Sequence, residues 1–147
     1  MPLSDYLTPD QIWLDLKAGS KAEILASLSR RAARTLNLPA EDILTVLTAR
    51  EELGSTGLGE GLALPHGRLP GLAAPFLGLA RTIEGVEFDS PDGKPIRLLA
   101  LVLTGADGHG HLQLLARVGT LFKSAEAVAE MLKARSSLEI LDILVRH

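Results

Sequence analysis

The stretch that decides the fold of this chain is residues 50–68, which read REELGSTGLGEGLALPHGR. Its first half is rich in glycine, and its second half runs through an apolar triplet into PHGR, centred on His66. Proline fixes the backbone before the imidazole, and glycine after it lets a partner approach closely. This arrangement predicts that His66 is presented at the surface for chemistry. A turn histidine without a role is the open alternative.

The glycine-rich half does not match the known nucleotide loops. Gly54 and Gly59 have the spacing of the Walker A glycines, but Glu60 stands where that motif has lysine, and its carboxylate would repel phosphate. The dinucleotide fingerprint G-x-G-x-x-G and the serine elbow G-x-S-x-G are also absent. We therefore expect no nucleotide binding, no serine hydrolase chemistry and no cofactor.

The composition is that of an ordinary globular domain. The chain has 147 residues, of which 46% are apolar and 22% charged, and its net charge is −3. The lack of cysteine excludes disulfides, thiolate zinc sites and a cysteine nucleophile. The acidic balance and the 3% of aromatic residues argue against nucleic-acid binding. No apolar run approaches a membrane span, and no signal-peptide pattern opens the chain, so we expect a cytoplasmic protein without membrane insertion.

Apolar periodicity predicts helices at both ends of the chain and strands between them. Alternation over residues 12–17 predicts a short strand with one buried face, and residues 76–83 and 96–104 are typical of two longer strands. Capping and first-turn signals predict helices that begin near Ser20, Pro39, Ser124 and Ser136, and apolar spacing predicts a further helix that begins near His111. The pattern predicts an α/β fold with a mixed central β-sheet flanked by helices on both faces, in a single domain over residues 1–147.

Helical spacing also assigns the candidate core residues near the C-terminus. The helix from His111 would bury Leu112, Leu115, Val118 and Phe122, and the last helix would bury Leu138, Leu141 and Leu144. The acidic pair Glu51-Glu52 is interpreted as a solvated turn rather than a general acid/base couple.

Three further histidines accompany His66. His109 and His111 form an H-x-H pair at a predicted helix start, and with His66 they suggest a three-histidine zinc site as one hypothesis. The competing interpretation is that the helix dipole keeps His111 neutral, which also suits a nucleophile or proton carrier. His147 is the last residue of the sequence and is set aside.

Residues 50–68 closely resemble the signature of the type-2 enzyme IIA (EIIA) domains of the phosphoenolpyruvate-dependent phosphotransferase system, in its fructose, mannitol and nitrogen branches. Gly85–Asp89 and His111–Ala116 also look like blocks of that family. The resemblance extends from about Leu7 to Leu144, and the long R-E-x-L-G-S-T-G…P-H-G run is its specific part.

The resemblance implies a phosphotransferase component with a mixed sheet between helices. It implies that His66 accepts a phosphoryl group from the phosphocarrier HPr or its nitrogen-branch paralogue, that Arg50 balances the phosphoryl charge, and that His111 supports His66. Phosphate-site support is expected from Ser55, Thr56, Gly57 and Arg68. A neutral imidazole is a good nucleophile and a protonated one a good leaving group, which suits such a carrier.

The residue after Pro-His-Gly favours one branch of this family. Arginine at this position, here Arg68, is more typical of nitrogen-branch regulators than of sugar transporters. A fructose- or mannitol-type component that relays phosphate to a IIB domain remains an alternative, as does a regulatory binding module without phosphorylation. The glycine-rich approach to His111 departs from the family pattern and leaves open whether His109 takes over its role.

Overall fold

A mixed β-sheet organises the chain. The computed structural model describes residues 2–147. The strands are β1 (Ile12–Leu16), β2 (Gly57–Gly59), β3 (Leu62–Ala63), β4 (His66–Arg68), β5 (Phe76–Val86) and β6 (Ile96–Thr104). The helices are α1 (Lys21–Leu36), α2 (Ala40–Glu52), α3 (His111–Phe122), α4 (Ala125–Lys133) and α5 (Ser137–Arg146), with 3₁₀ turns at Leu3–Tyr6 and Pro9–Gln11. None of the helices within residues 2–147 is both long and apolar enough to cross a membrane.

The strands are arranged in the order β1-β5-β6-β3-β2, and β4 also pairs with β6. β5 and β6 form a long antiparallel pair, β1 runs parallel to β5, and both β3 and β4 run parallel to β6. The predicted mixed sheet in a single domain is therefore confirmed. The chain from Leu62 to Arg68 follows β6 in two short strands, interrupted at Leu64 and Pro65.

Strand β6 is apolar along almost its whole length because helices cover both faces of the sheet. Leu98, Ala100 and Val102 belong to the core beneath α3, α4 and α5. The alternate residues Leu99 and Leu101 belong to the core beneath α1 and α2. Successive side chains of a strand point to opposite faces of the sheet, so the apolar residues of β6 contribute alternately to the two cores.

Three of the five predicted helix starts are confirmed by capping hydrogen bonds. The side-chain oxygens of Ser20, Ser124 and Ser136 each accept from the backbone N–H three residues on, at 3.1–3.2 Å. Pro39, which was predicted in the first turn of its helix, is instead the residue before α2. These caps satisfy N–H groups that have no partner inside the helix.

The prediction that β1 buries one face is wrong. Trp13 is buried with Leu16 in the core under α1 and α2, while Ile12 belongs to the core on the other face. The pairing of β1 with β5 shifts register between Trp13 and Leu16, so the simple alternation of faces is broken.

Two predicted core leucines lie on the surface. Leu112 is 75% exposed and Leu138 is 70% exposed. The buried positions of α3 include Leu114 and Leu121, and those of α5 include Ile140 and Ile143. Val118, Phe122 and Leu144 are buried as predicted, so the predicted stripes are wrong only at their first leucines, which lie in the first turn of each helix and face solvent.

Gly67 lets β4 approach helix α2 closely. A Cβ atom on Gly67 would overlap Cγ1 of Val46. Val46 lies one helical turn before Arg50, and Gly67 directly follows His66. The contact between Gly67 and Val46 therefore brings the end of α2 alongside the imidazole of His66.

We expect Gly67→Ala to destabilise the fold by about 1–3 kcal/mol, because the added methyl group must displace a β-branched side chain with one preferred helical rotamer. Urea denaturation measures the change. Gly119→Ala on α3 is the matched control, since a Cβ there meets nothing within 4 Å. It should be neutral or stabilising by up to about 1 kcal/mol. Equal stability of the two variants would contradict the contact.

Candidate functional site

The imidazole of His66 is held by one acceptor and one donor. Its Nδ1 lies 2.8 Å from the carbonyl oxygen of Leu64, and Arg50 Nε donates to its Nε2 at 3.3 Å. A carbonyl only accepts and a guanidinium only donates. The proton of the neutral ring is therefore on Nδ1, and the lone pair is on Nε2, beside the positive charge of Arg50.

Pro65 explains why the Leu64 carbonyl is available to His66. It interrupts the pairing with β6 between Ala63 and His66 and has no N–H to contribute. The Pro65 carbonyl accepts from the N–H of Val102 at 3.1 Å, which keeps the chain on β6 through the interruption. The interruption in strand pairing thus leaves the Leu64 carbonyl free to accept from Nδ1 and to orient the ring of His66.

His111 is the second histidine of the site. It begins α3, is buried, and its ring centroid lies 5.4 Å from that of His66, with the planes 58° apart. Its Nδ1 lies 2.8 Å from Oγ1 of Thr104, the last residue of β6. His109 is exposed, and its backbone N–H donates to Asp107. The structure therefore brings His111, rather than His109, together with His66.

Arg68 lies against the glycine-rich turn that leads into α3. A Cβ on Gly108 would lie 2.8 Å from Cζ of Arg68, and Gly108 has a φ of +71°. Both the space and the backbone conformation favour glycine there. In the β4–β6 register Arg68 is opposite Thr104, and its charge lowers the pKa of His111. The Gly-rich turn is thus where the guanidinium packs.

The surroundings of both imidazoles favour their neutral forms. Burial lowers the pKa of His66, and the charge of Arg50 lowers it further, while the bond to Leu64 and the nearby carboxylate of Glu51 oppose this. Burial is also the main cause of the lowered pKa of His111, followed by the charges of His66 and Arg68.

Glu51 has a structural role beside the site that the sequence interpretation missed. Its neighbour Glu52 is exposed, as predicted, but Glu51 is buried. One carboxylate oxygen accepts from the N–H of Thr56 at 2.8 Å, the other from its hydroxyl at 2.6 Å, and Lys21 Nζ lies 2.9 Å away. Glu51 therefore ties the loop beside His66 to the end of α2.

The polar groups of Ser55, Thr56 and Gly57 have partners within the protein. Ser55 donates its hydroxyl to the carbonyl of Phe88 at 2.7 Å and accepts from the N–H of Gly57. A Cβ on Gly57 would lie 2.5 Å from Oγ of Ser90, so this position requires glycine. These contacts fix the shape of the loop, and a direct role in holding phosphate stays a prediction.

The three histidines of the zinc hypothesis do not form one ligand set. Within residues 2–147, the group whose possible ligand atoms all lie within 4.8 Å of one another is Glu126, Glu130 and His147. That group includes none of the histidines near the site. The geometry around His66 is instead that of paired imidazoles with arginines close by.

Two exposed leucines adjoin the site. Leu53 follows the end of α2 and is 85% exposed, and Leu112 directly follows His111 and is 75% exposed. His66 itself is only half-buried. Each leucine is thus close in sequence to a residue that lies beside the half-buried ring of His66.

Known proteins share both the sequence and the fold. The family model described as the phosphoenolpyruvate-dependent sugar phosphotransferase system, EIIA 2, matches residues 5–147. A nitrogen regulatory protein of Bradyrhizobium diazoefficiens is 36% identical over 146 residues, covering 98% of this chain and 95% of its own. The crystal structure of nitrogen regulatory protein IIA-Ntr from Neisseria meningitidis matches with a TM-score of 0.90 at 35% identity, covering 97% and 98% of the two chains.

A more distant likeness concerns the fold alone. The Escherichia coli enzyme IIAMTL, in its complex with phosphorylated enzyme IIBMTL, matches with a TM-score of 0.80 at 21% identity. The match covers 96% of this chain and 98% of that one. A domain of this fold thus docks onto a IIB partner in a sugar system.

We expect Glu51→Ala to lower the free energy of unfolding by about 2–4 kcal/mol, because it leaves the buried groups of Thr56 without their acceptor and leaves Lys21 with only the exposed Asp89 as an ion-pair partner. The adjacent Glu52→Ala is the control and should stay within about 0.5 kcal/mol of wild type. Chemical denaturation compares the two variants. A Glu51→Ala protein as stable as the Glu52→Ala protein would contradict the tie between helix and loop.

Titration should find both active-site imidazoles below the ordinary histidine pKa of about 6.5. NMR of the ring resonances against pH measures this directly. Because the folded pKa values are lowered, the unfolded chain binds more protons just below pH 6.5, so their contribution to stability is lost as the pH falls from 7 toward the folded values. His66→Gln should weaken that loss. A midpoint above 6.5 for either ring would contradict the argument.

Proposed function

Because the chain belongs to the EIIA type-2 family of the phosphoenolpyruvate-dependent sugar phosphotransferase system, we propose that it is a histidine phosphocarrier that is phosphorylated on Nε2 of His66. EIIA domains are phosphoryl-transfer components, so the transferase class follows from the family. The observation that carries the finer proposal is the placement of Arg50 Nε at 3.3 Å from His66 Nε2 while Leu64 holds Nδ1.

The reaction needs no base at His66. The lone pair on Nε2 attacks phosphorus, and the bond from phosphorus to the imidazole nitrogen of the donor breaks, with its electron pair kept by the donor ring. The proton on Nδ1 of His66 stays in its hydrogen bond to Leu64. Phosphoryl transfer mainly requires positioning and charge stabilisation, which the residues around His66 provide.

Arginine supplies the charge stabilisation in this proposal. The fork of Arg50 matches the oxygens of a phosphoryl group and can pass from Nε2 to them as the new bond forms. Arg68 adds a second guanidinium on the His111 side of the site. Ser55, Thr56 and Gly57 act by keeping the loop in shape beside Arg50, whose Nη1 donates to the carbonyl of Gly54 at 2.9 Å.

The donor is proposed to be an HPr-type phosphocarrier protein. Support comes from the half-buried position of His66 and from the exposed Leu53 and Leu112 beside it, which offer apolar surface to a docking protein. The cytoplasmic location expected from the sequence belongs to the same proposal, because phosphoenolpyruvate is a metabolite of the cell interior. In this role residues 1–147 form one EIIA domain, of which Met1 lies outside the described residues.

The nitrogen-regulatory branch is favoured over sugar transport. The supporting relatives are nitrogen regulatory proteins at 35–36% identity over nearly the whole chain. Arg68, packed against Gly108, is the residue that favoured this branch in the sequence. In this role the phosphorylation state of His66 would control binding to a target protein. Relay of the group to a IIB domain is the second candidate, supported by the shared fold of the mannitol enzyme.

The test is incubation with enzyme I, HPr or its nitrogen-branch paralogue, and labelled phosphoenolpyruvate. We expect acid-labile label on the wild type, none on His66→Ala, and acceptance slowed by about 10²–10³-fold in Arg50→Ala, the scale of losing a group that stabilises transition-state charge. His109→Ala is the control and should keep the wild-type rate. Label on His66→Ala at the wild-type rate would overturn the proposal.

A target-binding assay separates the remaining alternative. A regulatory binding module without phosphorylation would take no label from either donor, and its binding to a target would be unaffected by His66→Ala. Transfer of the label onward to an added IIB domain would favour the sugar-transport candidate over nitrogen regulation.

A further inference from the structure

We propose that the hydroxyl of Thr104 sets the tautomer of His111, so that this ring keeps its proton on Nε2 and presents a neutral N–H donor to the phosphoryl site. Thr104 is then a positioning residue that acts through His111. The functional part of this inference rests on the proposed phosphocarrier role, while the tautomer itself does not.

The direction of the hydrogen bond follows from burial. Thr104 is fully buried, and within residues 2–147 its hydroxyl has one hydrogen-bond partner, Nδ1 of His111 at 2.8 Å. If Nδ1 carried the proton and donated, the hydroxyl proton would be buried without an acceptor, which costs about 1–3 kcal/mol. Donation from the hydroxyl to a lone pair on Nδ1 satisfies both groups and leaves the proton of His111 on Nε2.

The backbone holds Thr104 where this bond can form. It is the last residue of β6, pairs with Arg68 of β4, and its carbonyl accepts from the N–H of Leu69 at 2.7 Å. The chain then turns back within seven residues, so that His111 begins α3 beside the end of the strand. The hydroxyl is therefore fixed by the sheet, whereas the imidazole is carried by the helix.

The two active-site rings thus hold opposite tautomers. His66 has its proton on Nδ1, bound to Leu64, and its lone pair on Nε2. His111 has its lone pair on Nδ1, bound to Thr104, and its proton on Nε2. One ring is a nucleophile and the other a donor, and neither must be protonated before transfer begins. This fits surroundings in which burial, and after it the charges of Arg50 and Arg68, lower the pKa of the two rings and disfavour an imidazolium ion in the unphosphorylated protein.

The first experiment measures the tautomer in the unphosphorylated protein. Long-range ¹H–¹⁵N NMR of the histidine rings should show the Nε2–H form for His111 and the Nδ1–H form for His66 in the wild type. Thr104→Val keeps the shape and removes the hydroxyl, so the Nδ1–H form should appear at His111, while His66 is unchanged. Thr104→Ser should restore the wild-type pattern. An Nδ1–H form of His111 in the wild type, or no change in Thr104→Val, would overturn the inference.

The second experiment measures transfer from the phosphorylated HPr-type donor. Thr104→Val should accept phosphate about tenfold more slowly at saturating donor with an unchanged KM, and Thr104→Ser should recover most of the rate. An unaltered rate in Thr104→Val would overturn the role of His111 as a donor.

The two experiments separate the possible failures. No label on the wild type together with the expected tautomers would overturn the phosphocarrier proposal and still support the assignment of Thr104. If Thr104→Val does not fold, the wild-type and Thr104→Ser tautomers decide the inference.

Discussion

The close approach of β4 to α2 at Gly67 is the constraint on which the site depends. Without a side chain, Gly67 lets Val46 pack directly on the strand, and one helical turn later Arg50 reaches Nε2 of His66. The two sides of this contact are held by different means. Strand β4 is held by its pairing with β6, and the end of α2 is held by the tie between Glu51 and Thr56. One packing contact thus brings the guanidinium of Arg50, the imidazole of His66 and the loop at Thr56 together.

The sequence predicts well what depends on local pattern. The capped helices, the apolar strand β6 and the presentation of His66 between proline and glycine all follow from neighbouring residues. The resemblance to a known family also named Arg50 and His111, which are far apart in the sequence and both lie beside His66 in the structure. The errors arose where phase or long-range packing decides. Trp13 is buried because a second layer of helices covers its face. Leu112 faces solvent although α3 begins at His111 as predicted, because it lies on the exposed side of the first turn.

Glu51 and Thr104 could not be recognised in this way, because each matters through a partner that the fold provides. Glu51 follows an arginine and precedes another glutamate, which is typical of a solvated helix end, and only the return of the loop at Thr56 buries it. Thr104 is an unremarkable last residue of an apolar strand until His111 comes back to its hydroxyl. A polar residue at a strand end with a histidine seven positions later is too common a pattern to predict such a pair.

The hydrogen bond from His66 Nδ1 to Leu64 also affects how the phosphorylated protein would give up its phosphoryl group. In the proposed reaction that proton never leaves, so the loaded ring is a phosphoimidazolium, whose departing fragment is an uncharged imidazole rather than an imidazolate. Phosphorylation and dephosphorylation of His66 then exchange no proton with bulk water. Transfer to an acceptor is the chemical reverse of transfer from the donor. In such a phosphoimidazolium the bond between nitrogen and phosphorus is already activated for cleavage. The lifetime of the phosphorylated protein is therefore set by how well the surrounding residues exclude water from phosphorus.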